Sequence, residues 1–257
     1  MSRFLDRTQR GRIIKPRNFR RIVRPKGIAR FSPGFIFPGA GAGSLAASYV
    51  GENHEGAVSA SSYSFSSQSI GVAATDRYVF LNIQWFSTSN TPVLNSCSVG
   101  GVACTIVLQT TSVNSRPNNA IAYALMPSGT TATIAFTFSG TLTGSGFGVG
   151  FGVYRVQGPL NTTPVATRQN NDDNTGSLST TIAVKKNGFM IWSVTEGNVN
   201  FVMNAPTQNY GRQYGAGRVG HGAFGSAYSA DGTQSLSLSN YTSSAHMQDV
   251  AASFQPV

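Results

Sequence analysis

From residue 44 onward, turn-forming residues punctuate the chain so often that little room is left for anything but short strands. The signals include Pro127-Ser-Gly129, Ser139-Gly140, Asn174-Thr-Gly176, Lys186-Asn-Gly188 and Ala230-Asp-Gly232. Between them lie runs rich in β-branched and aromatic residues, at 57–65, 78–86, 95–99 with 102–108, 120–126, 131–138, 146–156, 178–184, 188–195, 199–203, 219–228, 234–240 and 246–254. Such spacing predicts an all-β fold, an antiparallel two-sheet β-sandwich of jelly-roll-like type, for a body at residues 44–257. The sparse charge, 11% of residues, fits many strands and few helices.

The net charge of +10 lies entirely in the first thirty residues. Eleven cations stand there (Arg3, Arg7, Arg10, Arg12, Lys15, Arg17, Arg20, Arg21, Arg24, Lys26, Arg30) against Asp6 alone, and the remainder carries eight charges of each sign. Pro16, Pro25, Pro33 and Pro38 interrupt any helix longer than two turns, so residues 1–43 read as an extended basic arm. Gly39-Ala-Gly-Ala-Gly43 is its joint to the body. Phe19, Phe31, Phe35 and Phe37, with several Ile and Val, are interleaved with the cations. A tail that only neutralises packaged nucleic acid needs no apolar anchors. The arm therefore reads as a docking segment, with Arg pairing carboxylates and Phe and Ile filling pockets of another protein; nucleic acid is the less favoured partner.

In Gly144-Ser-Gly-Phe-Gly-Val-Gly-Phe-Gly-Val-Tyr154 the glycines alternate with apolar residues, which marks a strand and not a phosphate loop. Its bare face, Gly146, Gly148, Gly150 and Gly152, calls for a flat cover: large side chains of a neighbouring strand or a second subunit. It is accordingly a candidate subunit contact. A second glycine-rich stretch, Gly211–Gly225, reads as an exposed loop or edge. A Gly100-Gly101 hairpin turn would set Cys97 and Cys104 across from each other as a hydrogen-bonded pair, where free thiols are expected over a disulfide.

Catalytic groups are sparse. Glu52, His54 and Glu55 gather in what reads as a polar surface turn. Asn170–Gly176 supplies oxygen ligands without the closing Glu of a calcium loop. Glu196 has no second carboxylate that the sequence can pair with it. No catalytic residue, metal or cofactor is expected, and no apolar run is long enough to span a bilayer.

Several segments together resemble a β-sandwich module of tailed-phage accessory virion proteins: Ala74-Thr-Asp-Arg-Tyr-Val-Phe-Leu-Asn-Ile-Gln-Trp85, Ser98-Val-Gly-Gly-Val-Ala-Cys-Thr-Ile106, Tyr123-Ala-Leu-Met-Pro-Ser-Gly-Thr-Thr-Ala-Thr-Ile134 with Phe136-Thr-Phe-Ser-Gly140, and Gly152-Val-Tyr-Arg-Val-Gln-Gly158 with Thr163-Pro-Val165. The resemblance covers roughly residues 60–255. It implies a non-enzymatic virion protein made in a host cytoplasm, either a capsid decoration protein or a fibre-like component. Combined with the arm, the expectation is a homo-oligomer, guessed as a trimer, held to phage capsid or tail proteins. The rival expectations are a tail-fibre protein that reads host glycans through loops near Tyr210, Tyr214 and His221, and a jelly-roll capsid subunit whose arm binds RNA.

Overall fold

A computed structural model of the chain describes residues 43–56, 58–88, 91–110, 117–144, 146–173, 178–197, 202–213, 218–239 and 247–257. The chain divides into two units, residues 1–38 and 39–257, and only the second contains described residues. Every cation and phenylalanine of the arm named above lies outside them, and of its glycine joint only Gly43 is described.

The described residues form seventeen strands and no helix. In the first half these are β1 (Ala46–Gly56), β2 (Ser62–Ser69), β3 (Arg77–Phe86), β4 (Leu94–Val99), β5 (Val102–Ala103), β6 (Thr105–Gln109), β7 (Pro117–Leu125), β8 (Thr131–Phe138) and β9 (Gly148–Gln157). The second half holds β10 (Ala166–Asp173), β11 (Leu178–Val184), β12 (Phe189–Gly197), β13 (Val202–Ala205), β14 (Gln208–Gln213), β15 (Arg218–Ser226), β16 (Gly232–Ser239) and β17 (Met247–Phe254). All pairings are antiparallel.

The antiparallel sandwich expected from the sequence forms, and it forms twice. In the first half the sheets run β1-β9-β3-β7-β6 and β2-β8-β4-β5; in the second they run β10-β17-β12-β15-β14 and β11-β16-β13. Count β5 and β6 as one strand broken at Cys104, and each strand of the first half has a counterpart at the same place in the second. Both halves follow the jelly-roll path, in which most successive strands alternate between two facing sheets, the exceptions here being the hairpins β4–β5, β6–β7 and β14–β15. The break has a function in the path: β5 continues the sheet of β4, and β6 then joins β7 in the other sheet.

The two sandwiches stack back to back through their five-stranded sheets. Strand β3 meets β12 at the centre, β7 lies against β12 and β17, and β15 lies against β3 and β9. Exchanging each strand for its counterpart maps these contacts onto one another, as a twofold axis would. The body is thus a pseudo-dimer in one chain, four sheets deep.

Sequence patterns follow the layers. Strand β3 is buried on both faces: Val79, Leu81, Ile83 and Trp85 point into the first sandwich, and Phe80 into the junction. Strand β12 divides likewise, with Met190, Trp192 and Val194 in the second sandwich and Phe189 and Ile191 in the junction. Such strands read as continuous apolar runs, whereas the outer strands β2, β8 and β16 alternate, because only one of their faces is covered. Each large core side chain contributes about 2–3 kcal/mol by leaving water.

The Gly100-Gly101 turn is as expected. Both residues have positive φ (57° and 81°), Ser98 pairs with Ala103, and the Cys104 N–H donates to the Cys97 carbonyl at 2.9 Å. Both cysteines are free thiols. A hydrogen bond with Cys104, and then burial, push the Cys97 thiol far above its usual range.

Three strands, β1, β10 and β14, were not among those expected. The run anticipated at 57–65 is instead a break, described at 58–61, followed by the first part of β2, and the described part of Gly211–Gly225 belongs to the edge strand β14 and its neighbour β15, which matches the edge alternative of that reading.

Candidate functional site

Alternation in β9 sends Val149, Phe151 and Val153 into the first sandwich and leaves Gly148, Gly150 and Gly152 on the junction side. There the cover is a side chain of the same chain. A Cβ added to Gly152 would lie 2.2 Å from Cε1 of Tyr210, so the Tyr210 ring from β14 rests directly on the glycine backbone. Gly148, Gly150 and Gly152 are buried and Gly146 partly so. The face offered as a subunit contact is therefore filled inside the chain, at Gly152 by Tyr210. Duplication within one chain supplies the partner that sequence alone could not distinguish from a second subunit.

Tyr210 stacks on Tyr49 at 5.8 Å with a 15° interplanar angle, and its hydroxyl accepts from Nε2 of Gln84 at 2.7 Å. From there a chain of amides and hydroxyls crosses the junction. Gln84 Nε2 also donates to Ser193 Oγ (2.7 Å), Ser193 Oγ donates to Asn119 Oδ1 (3.0 Å), and Asn119 Nδ2 donates to Thr195 Oγ1 (2.5 Å) and the Gln248 carbonyl (2.8 Å). Asn82 Nδ2 donates to the Trp192 carbonyl at 2.8 Å. Every group in this chain is neutral. What it supplies is a fixed register between the sandwiches, since a shift of either sheet would leave several buried polar groups unmatched.

Tyr210 and His221, which the glycan-reading alternative placed in exposed loops, are 6% and 3% exposed, and Tyr214 lies outside the described residues. Gly51–Gly56 is strand, not turn. His54 accepts from Arg212 Nε at 3.2 Å, and its pKa is lowered by burial and by Arg212, against the opposing pull of Glu55 and Glu52. Asn174–Gly176 lies outside the described residues. Among the described residues no group of three His, Cys, Asp or Glu side chains could hold a metal.

Three buried titratable groups, Glu196, Asp249 and His221, lie in the second sandwich. Val194 pairs with His221 on one side and Asp249 on the other, and Glu196 lies two residues along β12 from Val194, so all three side chains share one face of the sheet. This is the second carboxylate that spacing alone could not provide. Asp249 Oδ1 accepts from Arg168 Nε (3.2 Å) and Trp192 Nε1 (3.3 Å). Glu196 is fully buried and neither carboxylate oxygen has a hydrogen-bond partner. Burial pushes its pKa from 4.5 to about 8 and that of His221 down from 6.5 to about 4.

The signs of those two shifts fix a pH profile. As pH falls from 8 to 6.5, the folded state takes up a proton at Glu196 that the unfolded state does not, so stability rises, by up to about 1.4 kcal/mol per pH unit. Between 6.5 and 4.5 His221 loses as much as Glu196 gains, since its proton binds only the unfolded state, and the two cancel. Denaturant titrations should therefore show a maximum near pH 6.5, a decline above it, and below it only the shallower fall that the lowered pKa of His54 contributes. Glu196→Gln should flatten the decline, and a wild-type curve level from pH 6.5 to 8 would contradict it.

The outermost layers carry chemistry of a different sort. No Asp, Glu, Lys, Arg or His occurs in any strand of the two outer sheets, β2, β8, β4 and β5 on one side and β11, β16 and β13 on the other. Their exposed positions are mainly hydroxyls, among them Ser62, Ser64, Thr133, Thr137, Ser179, Thr181 and Ser235. The described charged residues of the body sit in its inner strands and in the turns between strands. No protein-family model matches this chain, and neither a curated protein nor a solved structure matches it.

Proposed function

We propose that this chain is a structural component of a tailed-phage particle, attached by its basic arm and displaying the double sandwich on the particle surface. The observation that carries this reading is the division of labour along the sequence. Residues 1–30 hold a net +10 interleaved with apolar anchors, and the body is electrically neutral with uncharged outer sheets. An acidic groove on a capsid or tail protein satisfies both the cations and the apolar side chains of such an arm. The resemblance of residues 60–255 to the phage accessory module agrees with this. A body built from neutral amides, hydroxyls and packed aromatics suits display; jelly rolls host many activities, so the fold alone does not select a role.

Sedimentation tests the reading. Full-length protein is expected to pellet with phage particles lacking it, and a chain beginning at Gly43 is expected to lose at least about tenfold of that binding, because most phosphate-like or carboxylate partners of the arm are charge-assisted. The jelly-roll path in both halves favours one further reading, a capsid subunit with a nucleic-acid-binding arm. Arm-dependent retention of RNA or DNA that fades with salt, with no affinity for particles, selects that second reading.

A further inference from the structure

Four open sheets present eight edge strands: β1 and β6, β10 and β14, β2 and β5, β11 and β13. An unpaired edge is a template for strand addition, and proteins blunt it with bulges, brevity or charge. Seven of these edges are blunted. Register shifts interrupt β1 at Tyr49/Gly51, β6 at Ile106/Leu108, β10 at Asn170/Asp173, β14 at Gln208/Tyr210, β2 at Phe65/Gln68 and β13 at Met203/Ala205, and β5 has two residues. Strand β11 has none of these devices. Leu178–Val184 pairs with β16 without a shift over all seven residues, contains no charge and no Pro, and no described strand pairs its other side. The contrast with β2 is informative, because β2 is its counterpart in the first sandwich and carries Ser67 at φ 55° within its irregularity. One edge of a duplicated pair is closed and the other is open.

We propose that the β11 edge is a self-association surface, at which two copies of this chain pair their β11 strands antiparallel and fuse two three-stranded sheets into one of six strands. The strand is self-complementary about Thr181. Pairing Thr181 with its own copy sets Leu178 opposite Val184 and Thr180 opposite Ile182 on the inner face, and Ser179 opposite Ala183 on the outer face. Buried Leu178 thus meets buried Val184, half-buried Thr180 meets buried Ile182, and exposed positions meet exposed ones. No like charges meet, since Lys185 and Lys186 lie past the strand end, where Asp231 Oδ2 accepts from Lys185 Nζ at 2.7 Å. Two contacts already reach β11 from its own sandwich: Ser253 Oγ donates to the Ala183 carbonyl (2.6 Å) and Arg168 Nη1 to Thr180 Oγ1 (3.3 Å). Both come from the inner layer and leave the outer face open. This surface replaces the glycine face as the place where copies meet, and it stands whatever the arm binds.

Sedimentation velocity of the full chain over a wide concentration range tests it, in about 0.15 M salt, where charges farther apart than about 8 Å are screened while directly opposed side chains still interact. The wild type is expected to dimerise. Thr181→Lys, at an exposed position, sets two ammonium groups opposite each other and should weaken dimerisation at least about tenfold with an unchanged melting temperature. Thr181→Glu should do the same, and mixing the two variants should restore association as a heterodimer. A wild type that stays monomeric, a Thr181→Lys variant that dimerises like the wild type, or Lys and Glu variants that stay apart when mixed would each overturn the proposal.

Discussion

Replacing Arg77 with Met is expected to destabilise the body by about 3–5 kcal/mol, the range observed when one partner of a buried charged network is removed. Arg77 has no exposed surface, and among the described residues no carboxylate pairs with it. Its guanidinium is held by backbone carbonyls alone. Nε donates to Met126 (2.6 Å), Nη1 to Gly71 (2.6 Å) and Gly129 (2.9 Å), with Ile70 at the limit of reach (3.5 Å), and Nη2 to Ser128 (2.6 Å). The side chain thereby ties the turn before β3 to the turn between β7 and β8. Methionine fills much of the volume but removes the donors from those carbonyls, and the ones that water cannot reach, such as that of buried Ile70, cost about 1–3 kcal/mol each without a partner. Arg77→Lys should recover only part of the loss, because an ammonium offers three donors from one point and cannot span the fork. For a body of this size the Met variant should melt roughly 10 °C lower. A melting point within about 2 °C of wild type would show that water replaces the guanidinium, and would refute the account.

Arg77 also marks the boundary of what the sequence discloses. Strands at 131–138 and 178–184 are found at those bounds, and β3, β12 and β17 within two residues, because apolar alternation and turn residues act locally. The cysteine hairpin is legible for the same reason, since two adjacent glycines specify the turn that the backbone adopts. By contrast, β1, β10 and β14 carry Glu, His, Asn, Gln and Arg, and they become strands by pairing with β9, β17 and β15. Their local propensity is overridden by the sheet they join. The duplication is invisible because what repeats is strand order, while the residues filling equivalent places differ. Asn82, Gln84, Asn119 and Ser193 read as ordinary polar residues of strands, and nothing in their spacing shows that they meet one another across a junction between halves more than seventy positions apart. The same holds for Glu196 and Asp249, which the register of β12 with β17 brings to one face.

Gly152→Ala is expected to test the junction directly. The added methyl would lie 2.2 Å from Cε1, 2.7 Å from Cζ and 2.9 Å from Oη of Tyr210, closer than carbon atoms approach without displacement. The ring is pinned by Tyr49 on one side and by the hydrogen bond from Gln84 on the other, so it cannot swing aside without losing both. Overpacking of this kind costs about 1–3 kcal/mol, and the lost hydrogen bond adds about 1. A total near 3 kcal/mol is expected, concentrated at the interface between sandwiches, so hydrogen exchange should accelerate in β14 and β15 before it does in β4 or β8. Tyr210→Ala removes the obstacle as well as the ring, so in that background Gly152→Ala should cost less than about 1 kcal/mol, a coupling of roughly 2 kcal/mol between two residues from different halves of the chain. If the two substitutions were additive, Tyr210 would not be the cover of the glycine face. The cover of Gly152 would then have to come from elsewhere in the junction, and the link from β14 to β9 would lose its part in holding the sandwiches together.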